Sequence, residues 1–219
     1  ASVDIRGTVY NDHGNAGSTF TDRLTVSASS PEQLEHSNKE LIYTYQVFLP
    51  AGLYQVRVGA RDPATGKIGT SYDWIQVPNL ASQKLALSTI MTGERVVNET
   101  RKAEGGAGEI GEASIRVDKR FHRNSVLRFI VYVYNALKST TDAQPDVGVQ
   151  VLVLRDQQPV ITTPSKKIST AGLPDLDRVP YAGDLSLEGL APGNYVLQIS
   201  AVDRIAKSTA TQRVRLEIQ

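Results

Sequence analysis

Three histidines, no cysteine and a balance of 24 basic against 23 acidic residues set the chemical repertoire of this 219-residue chain. His13 falls in a turn, His36 in a helical or loop segment and His122 in a basic loop. None has a second histidine or a carboxylate at metal-ligand spacing, so all three read as surface side chains. Lack of cysteine excludes a disulfide framework and a thiolate metal site. Asp175 and Asp177, in Leu173-Pro174-Asp175-Leu176-Asp177, could form a carboxylate pair for acid–base work, but no partner base accompanies them and they read as loop residues. Asn11-Asp12-His13-Gly14 could contact a cation, yet that composition is first of all a turn. No Gly-x-Ser-x-Gly elbow, phosphate-binding glycine loop or His-Glu-x-x-His helix occurs. The expectation is a protein without catalytic residues, cofactor or bound metal.

The strongest basic cluster is Lys119, Arg120, Arg123 and Arg128, interleaved with Phe121. Nucleic-acid proteins use that mixture of cations and rings. Here Asp118 interrupts it and the formal net charge is only +1, so a solvated loop and strand face is the expectation, with no nucleic-acid partner.

The elements that must position these residues are strands. One stretch occurs twice at constant offset: Leu49-Pro50-Ala51-Gly52-Leu53-Tyr54-Gln55-Val56-Arg57-Val58-Gly59-Ala60-Arg61-Asp62, and Leu190-Ala191-Pro192-Gly193-Asn194-Tyr195-Val196-Leu197-Gln198-Ile199-Ser200-Ala201-Val202-Asp203. Each copy opens on a turn, and Pro192-Gly193 suits the central positions of type II, where glycine supplies positive φ. Alternation follows, with Tyr54, Val56, Val58 and Ala60 inward and Tyr195, Leu197, Ile199 and Ala201 repeating them. Gly52, Tyr54 and Asp62, with Gly193, Tyr195 and Asp203, are thus a structural repeat. Both tyrosines could stack on carbohydrate, but their inward positions favour core packing with a buried hydroxyl bond. An aspartate that recurs at the end of each copy suits a turn cap.

Further strands are expected at 3–10 (Val3, Ile5 and Val9 inward), 19–28, 41–49 (with Tyr43, Tyr45 and Phe48) and 68–77, with a short helical turn at 30–34. After Pro78-Asn79, strands are expected at 84–91, 113–117, 126–135, 147–154, 160–163, 181–187 and 211–218. Residues 126–135 are apolar on both faces, as in a central strand. A flexible Gly-rich loop occupies 99–112, with Gly105-Gly106-Ala107-Gly108 within 101–111. No apolar run approaches the roughly 20 residues of a membrane helix, so membrane insertion is not expected.

The fold class expected is all-β: two tandem Ig-like or fibronectin-like sandwiches, residues 1–79 and 80–219. The first unit holds too few strands for a sandwich, which usually needs about seven. Either the chain is a fragment or another molecule supplies the missing strand, because open edges are templates for pairing.

Several segments carry a resemblance. They are Tyr54 to Asp62, Thr65-Gly66-Lys67-Ile68-Gly69-Thr70, Ile75-Gln76-Val77-Pro78-Asn79-Leu80 and Leu85-Ala86-Leu87-Ser88. Phe129 to Ala136, Gln150-Val151-Leu152-Val153-Leu154-Arg155-Asp156 and Ser169-Thr170-Ala171-Gly172-Leu173-Pro174 join them. Together they resemble the region C-terminal to the von Willebrand factor A domain in VWFA-related proteins typical of Acidobacteria. The resemblance implies Ig-like modules in a bacterial protein that is extracellular, on the cell surface or periplasmic, with no enzymatic activity attached. The A domain's Asp-x-Ser-x-Ser metal motif is absent, so its metal site is not carried over.

The functional expectation is a structural or adhesive protein acting through protein–protein contacts. Its specific form is a homo-oligomer in which a neighbouring subunit donates a strand, from the 101–111 loop or the chain ends. Val3, Ile5 and Val9 mark the candidate interaction strand. Such contacts build filaments where they do not close. The rival from another class is a module binding a polysaccharide or host protein, which an exposed aromatic platform would favour. A hydrolase has no constellation behind it.

Overall fold

The computed structural model describes residues 2–25, 42–96 and 114–219. The helical turn expected at 30–34, His36 and the loop at 101–111 lie outside them. The chain is all-β and divides into two compact units, Ala1–Asn79 and Leu80–Gln219.

The first unit contains one four-stranded antiparallel sheet, built from β1 (Ser2–Asn11), β2 (Ala16–Thr25), β3 (Gly52–Arg61) and β4 (Ile68–Val77). Its order is β2-β1-β3-β4. Register places Ile5 beside Ala60, Gly7 beside Val58 and Val9 beside Val56, so the apolar alternants of β1 and β3 share a face. Ile5, Val9 and Tyr54 are buried there, whereas Val56, Val58 and Ala60 are half-buried. Phe20 stands opposite Gly7 on that face, and its ring lies where a side chain at Gly7 would go.

Residues 42–50 form no strand, contrary to the expectation for 41–49. Tyr43 and Tyr45 stack on a ring instead of pairing main chain, while Phe48 is exposed. Tyr45 stacks on Phe20 at 4.2 Å between ring centroids, and Tyr43 lies 6.1 Å from the same ring. Alternating aromatics thus signalled contact with a sheet face rather than membership of a sheet.

The second unit is a sandwich of two sheets. Its strands are β5 (Ala86–Leu87), β6 (Met91–Val96), β7 (Ser114–Ile115), β8 (Arg120–Phe121), β9 (Ser125–Tyr134), β10 (Val147–Arg155), β11 (Gln158–Thr162), β12 (Lys166–Lys167), β13 (Arg178–Ser186), β14 (Gly193–Asp203) and β15 (Ser208–Ile218). One sheet runs β11-β10-β14-β15-β8, with β12 on β10; the other runs β13-β9-β6-β7, with β5 on β9. All pairs are antiparallel except β8 with β15. The core lies between Leu127, Phe129, Val131 and Val133 of β9 and the inward rows of β10, β14 and β15. Leu197, Ile199 and Ala201 are completely buried.

The strand expected over 84–91 is broken in two. Between β5 and β6 the Ser88 hydroxyl accepts the Tyr132 N–H at 2.9 Å, and the Ser88 N–H bonds the Tyr132 carbonyl at 2.9 Å. A side chain thus takes the place of a ladder bond, and the ladder resumes at Met91 opposite Ile130.

Candidate interaction surface

The repeated residues close the same local structure twice. Tyr54 donates its hydroxyl to the Pro50 carbonyl at 3.0 Å, and Tyr195 donates to Ala191 at 2.7 Å, each four residues back across the turn. Gly193 has φ of 144°, a region L side chains rarely adopt. Asp62 accepts the Ala64 N–H at 2.8 Å and the Thr65 hydroxyl at 2.6 Å. These bonds, with Thr65 the largest influence, hold its carboxyl below the usual carboxylate range. Asp203 is buried completely and accepts Ile205 and Ala206 N–H groups at 2.9 Å and the Leu137 N–H at 2.7 Å. Both tyrosines point away from solvent, so neither offers a stacking platform.

The residues singled out for chemistry are dispersed. Asp175 accepts the Asp177 N–H at 2.8 Å, and Asp177 pairs with Lys138 at 2.8 Å, which makes a turn rather than an acid–base pair. Phe121 is buried in the core, Arg120 pairs with Glu217 at 3.1 Å and Arg128 lies 3.8 Å from Asp184, so the basic cluster forms no continuous patch. His13 sits beside Asp12 in the exposed turn. His122 donates its backbone N–H to Glu94 at 2.6 Å, and its Nδ1 lies 3.0 Å from the same oxygen. Burial pushes the Glu94 carboxyl up, but the His122 amide, the Ser125 hydroxyl and the His122 ring outweigh it and hold the group below its usual range. No three metal-ligating side chains cluster among the described residues.

What the structure does bring together is the exposed side of the first sheet. β1 is paired on both edges, by β2 and β3, so Val3, Ile5 and Val9 offer no open main chain. The edge strands are β2 and β4, each paired on one side only among the described residues. Along β4 none of ten residues is buried, and Ile68, Tyr72, Trp74 and Ile75 are exposed. The Asp62 N–H bonds the Lys67 carbonyl at 2.9 Å. Antiparallel alternation from that pair turns the N–H and C=O groups of Ile68, Thr70, Tyr72, Trp74 and Gln76 away from β3. One of them is occupied: Trp74 donates its N–H to Asp73 Oδ1 at 2.8 Å. The same device recurs on β2, where Arg23 donates its N–H to Asp22 Oδ1 at 2.7 Å.

The outer face pairs aromatic residues with arginines. Register sets Tyr10, Gln55 and Trp74 in one row across β1, β3 and β4, then Thr8, Arg57 and Tyr72, then Arg6, Gly59 and Thr70. The Arg57 guanidinium stands 4.8 Å over the Tyr10 ring, and its Nε donates to Gln55 at 2.6 Å. Asp4 is the face's acidic residue on these strands, and Arg23 occupies it. That guanidinium, with Arg61 adding to it, holds the Asp4 carboxyl below its usual range. Composition could not show this surface, because Tyr72 and Trp74 meet Tyr10 only through the pairing of three strands.

No protein-family model matches the chain, and no curated protein matches it.

Proposed function

We propose that this chain is a non-enzymatic extracytoplasmic protein of structural or adhesive type, which associates by adding β4 of a second copy to its own β4. The open main chain of β4 carries this reading: nine exposed residues and half-buried Val77, paired on one side among the described residues, with Asp73 their one charged side chain and no proline. An exposed, apolar strand edge is a ready template, with main-chain bonds supplying affinity and alternate side chains specificity. The sequence resemblance to the region beyond the A domain of VWFA-related proteins supports an envelope or extracellular setting.

Light scattering over a concentration series tests it, with two variants that act on the edge alone. Thr70→Pro removes an outward N–H and leaves the β3 ladder intact, so association falls. Asp73→Ala frees the Trp74 N–H and removes the edge's charge, so association rises. A monomer at every concentration for both the parent and Asp73→Ala refutes the proposal.

A second reading, a polysaccharide-binding module of a larger secreted protein, is favoured by one observation. Tyr72 and Trp74, 69% and 51% exposed, present their rings on one sheet face.

A further inference from the structure

The exposed face of the first sheet has a hollow at Gly59. An added Cβ there would meet nothing closer than 3.9 Å, so the floor is open rather than crowded. Three arginines surround it by register. Arg6 lies directly across β1 from Gly59, and Arg57 and Arg61 precede and follow it by two residues on β3. Residues two apart on a strand stand about 6.7 Å from each other on the same face, so one small anion over Gly59 is within the length of all three side chains, Arg57 turning to it from the Tyr10 ring and Gln55 where its guanidinium stands. None of the three makes an ion pair within 4.0 Å among the described residues. The one carboxylate on these rows, Asp4, is already held by Arg23. Among the described residues the face therefore carries uncompensated positive charge, although the whole chain is close to neutral.

Beside the hollow stand Tyr72 and Trp74, on the strand that flanks β3. Rings two residues apart on one face, next to guanidinium groups, suit a ligand with both flat apolar faces and an anionic substituent. We infer that this groove binds an acidic saccharide, its carboxylate seated over Gly59 between Arg6, Arg57 and Arg61 and its ring faces on Tyr72 and Trp74. The inference rests on the polysaccharide reading above and adds the charge of the ligand and the place of that charge. A single-stranded nucleic acid would need a cationic track following a phosphate at every nucleotide. The arginines here are gathered around one point instead.

Trp74 is the chain's one tryptophan, so its fluorescence reports on the groove directly. The probes are hexameric oligouronates prepared from polygalacturonate and from alginate, the same oligomers with their carboxylates methyl-esterified, and a ten-residue oligothymidylate. The acidic hexamers are expected to perturb Trp74 emission saturably, and their esters to bind at least tenfold more weakly. The Arg6→Gln, Arg57→Gln double variant should lose most of that difference and most of the salt dependence. Gly59→Ala, whose Cβ comes no closer than ordinary van der Waals contact to Arg6 and Thr70, should weaken the acidic hexamers and leave the urea midpoint of the first unit unchanged. Equal binding of acids and esters overturns the anion site while leaving the polysaccharide reading standing. Binding of none of the saccharides overturns both. Tighter binding of the oligothymidylate, lost in the same variants, overturns the inference in favour of a nucleic-acid surface.

Discussion

Replacing Asp203 by alanine should unfold the second unit far more readily than replacing Asp62 unfolds the first. Both aspartates end a copy of the repeated strand and accept main-chain N–H groups in the following turn. They differ in burial and reach. Asp62 is only partly buried, so water can take its place, and Asp62→Ala should move the midpoint of the first unit little. Asp203 is fully buried, and its second oxygen holds the Leu137 N–H, 66 residues away. Hydrogen bonds to a charged group contribute about 1.5–3 kcal/mol each, so with three donors and water recovering about half of their sum on truncation, Asp203→Ala should cost about 3–4 kcal/mol. With a urea slope of about 2 kcal/mol/M, the midpoint of the second unit should fall by about 1.5–2 M. Asp203→Asn keeps an acceptor but loses the charge, and should fall between. Urea unfolding followed at two signals separates the units, because the sole tryptophan belongs to the first. Far-ultraviolet dichroism should show the shift while Trp74 fluorescence keeps its midpoint. Equal shifts for Asp62→Ala and Asp203→Ala, or no shift for Asp203→Ala, would refute the reasoning.

Other perturbations have equally direct readouts. Glu94 is held below its usual pKa in the folded state, so its contribution to stability is complete above the unfolded value of about 4.3 and is lost as pH falls through the lower folded one. Thermal melts from pH 7 to pH 3 should show that acid loss, and Glu94→Gln should flatten this part of the profile while lowering stability at neutral pH. At Gly183 an added Cβ would come within 2.6 Å of the Phe129 ring, which is buried in the core. Gly183→Ala should therefore destabilise the second unit by about 2 kcal/mol in the same urea assay. Gly172→Ala, with open space around the added carbon, separates steric crowding from the strain of its positive φ of 75°, and should cost about 1–2 kcal/mol.

Legibility of the fold followed the period of the side chains. Where alternation was clean, as in 195–201, facing could be read from sequence because one face had to be apolar, and the bounds expected at 68–77 match those of β4. The aromatic run Tyr43, Tyr45, Phe48 misled, since alternation also arises when a segment lies on a sheet and stacks rings. Short pairings such as Arg120–Phe121 with Glu217–Ile218 carry no periodic signal and depend on residues about a hundred positions apart. For the same reason Phe121 looked like part of a basic loop, although its ring fills the core. The candidate surface was hidden more deeply. Nothing in the spacing of Arg6, Tyr10, Arg57, Gly59, Tyr72 and Trp74 joins them, and three strand registers must be known before they meet. Conversely, Val3, Ile5 and Val9 were legible as an apolar row, but not as belonging to a strand already paired on both sides.

The position of β15 sets an order of events during folding. It lies inside its sheet, between β14 and β8, and supplies Val214, Leu216 and Ile218 to the core. Until residues 208–218 have left the ribosome, β8 has no partner and the inward row of β14 lacks its neighbour. The sheet of the first unit needs nothing beyond Val77. On a translating ribosome the first sheet can therefore close more than a hundred residues before the second sandwich, whose slow, non-local pairings must wait for synthesis to pass residue 218.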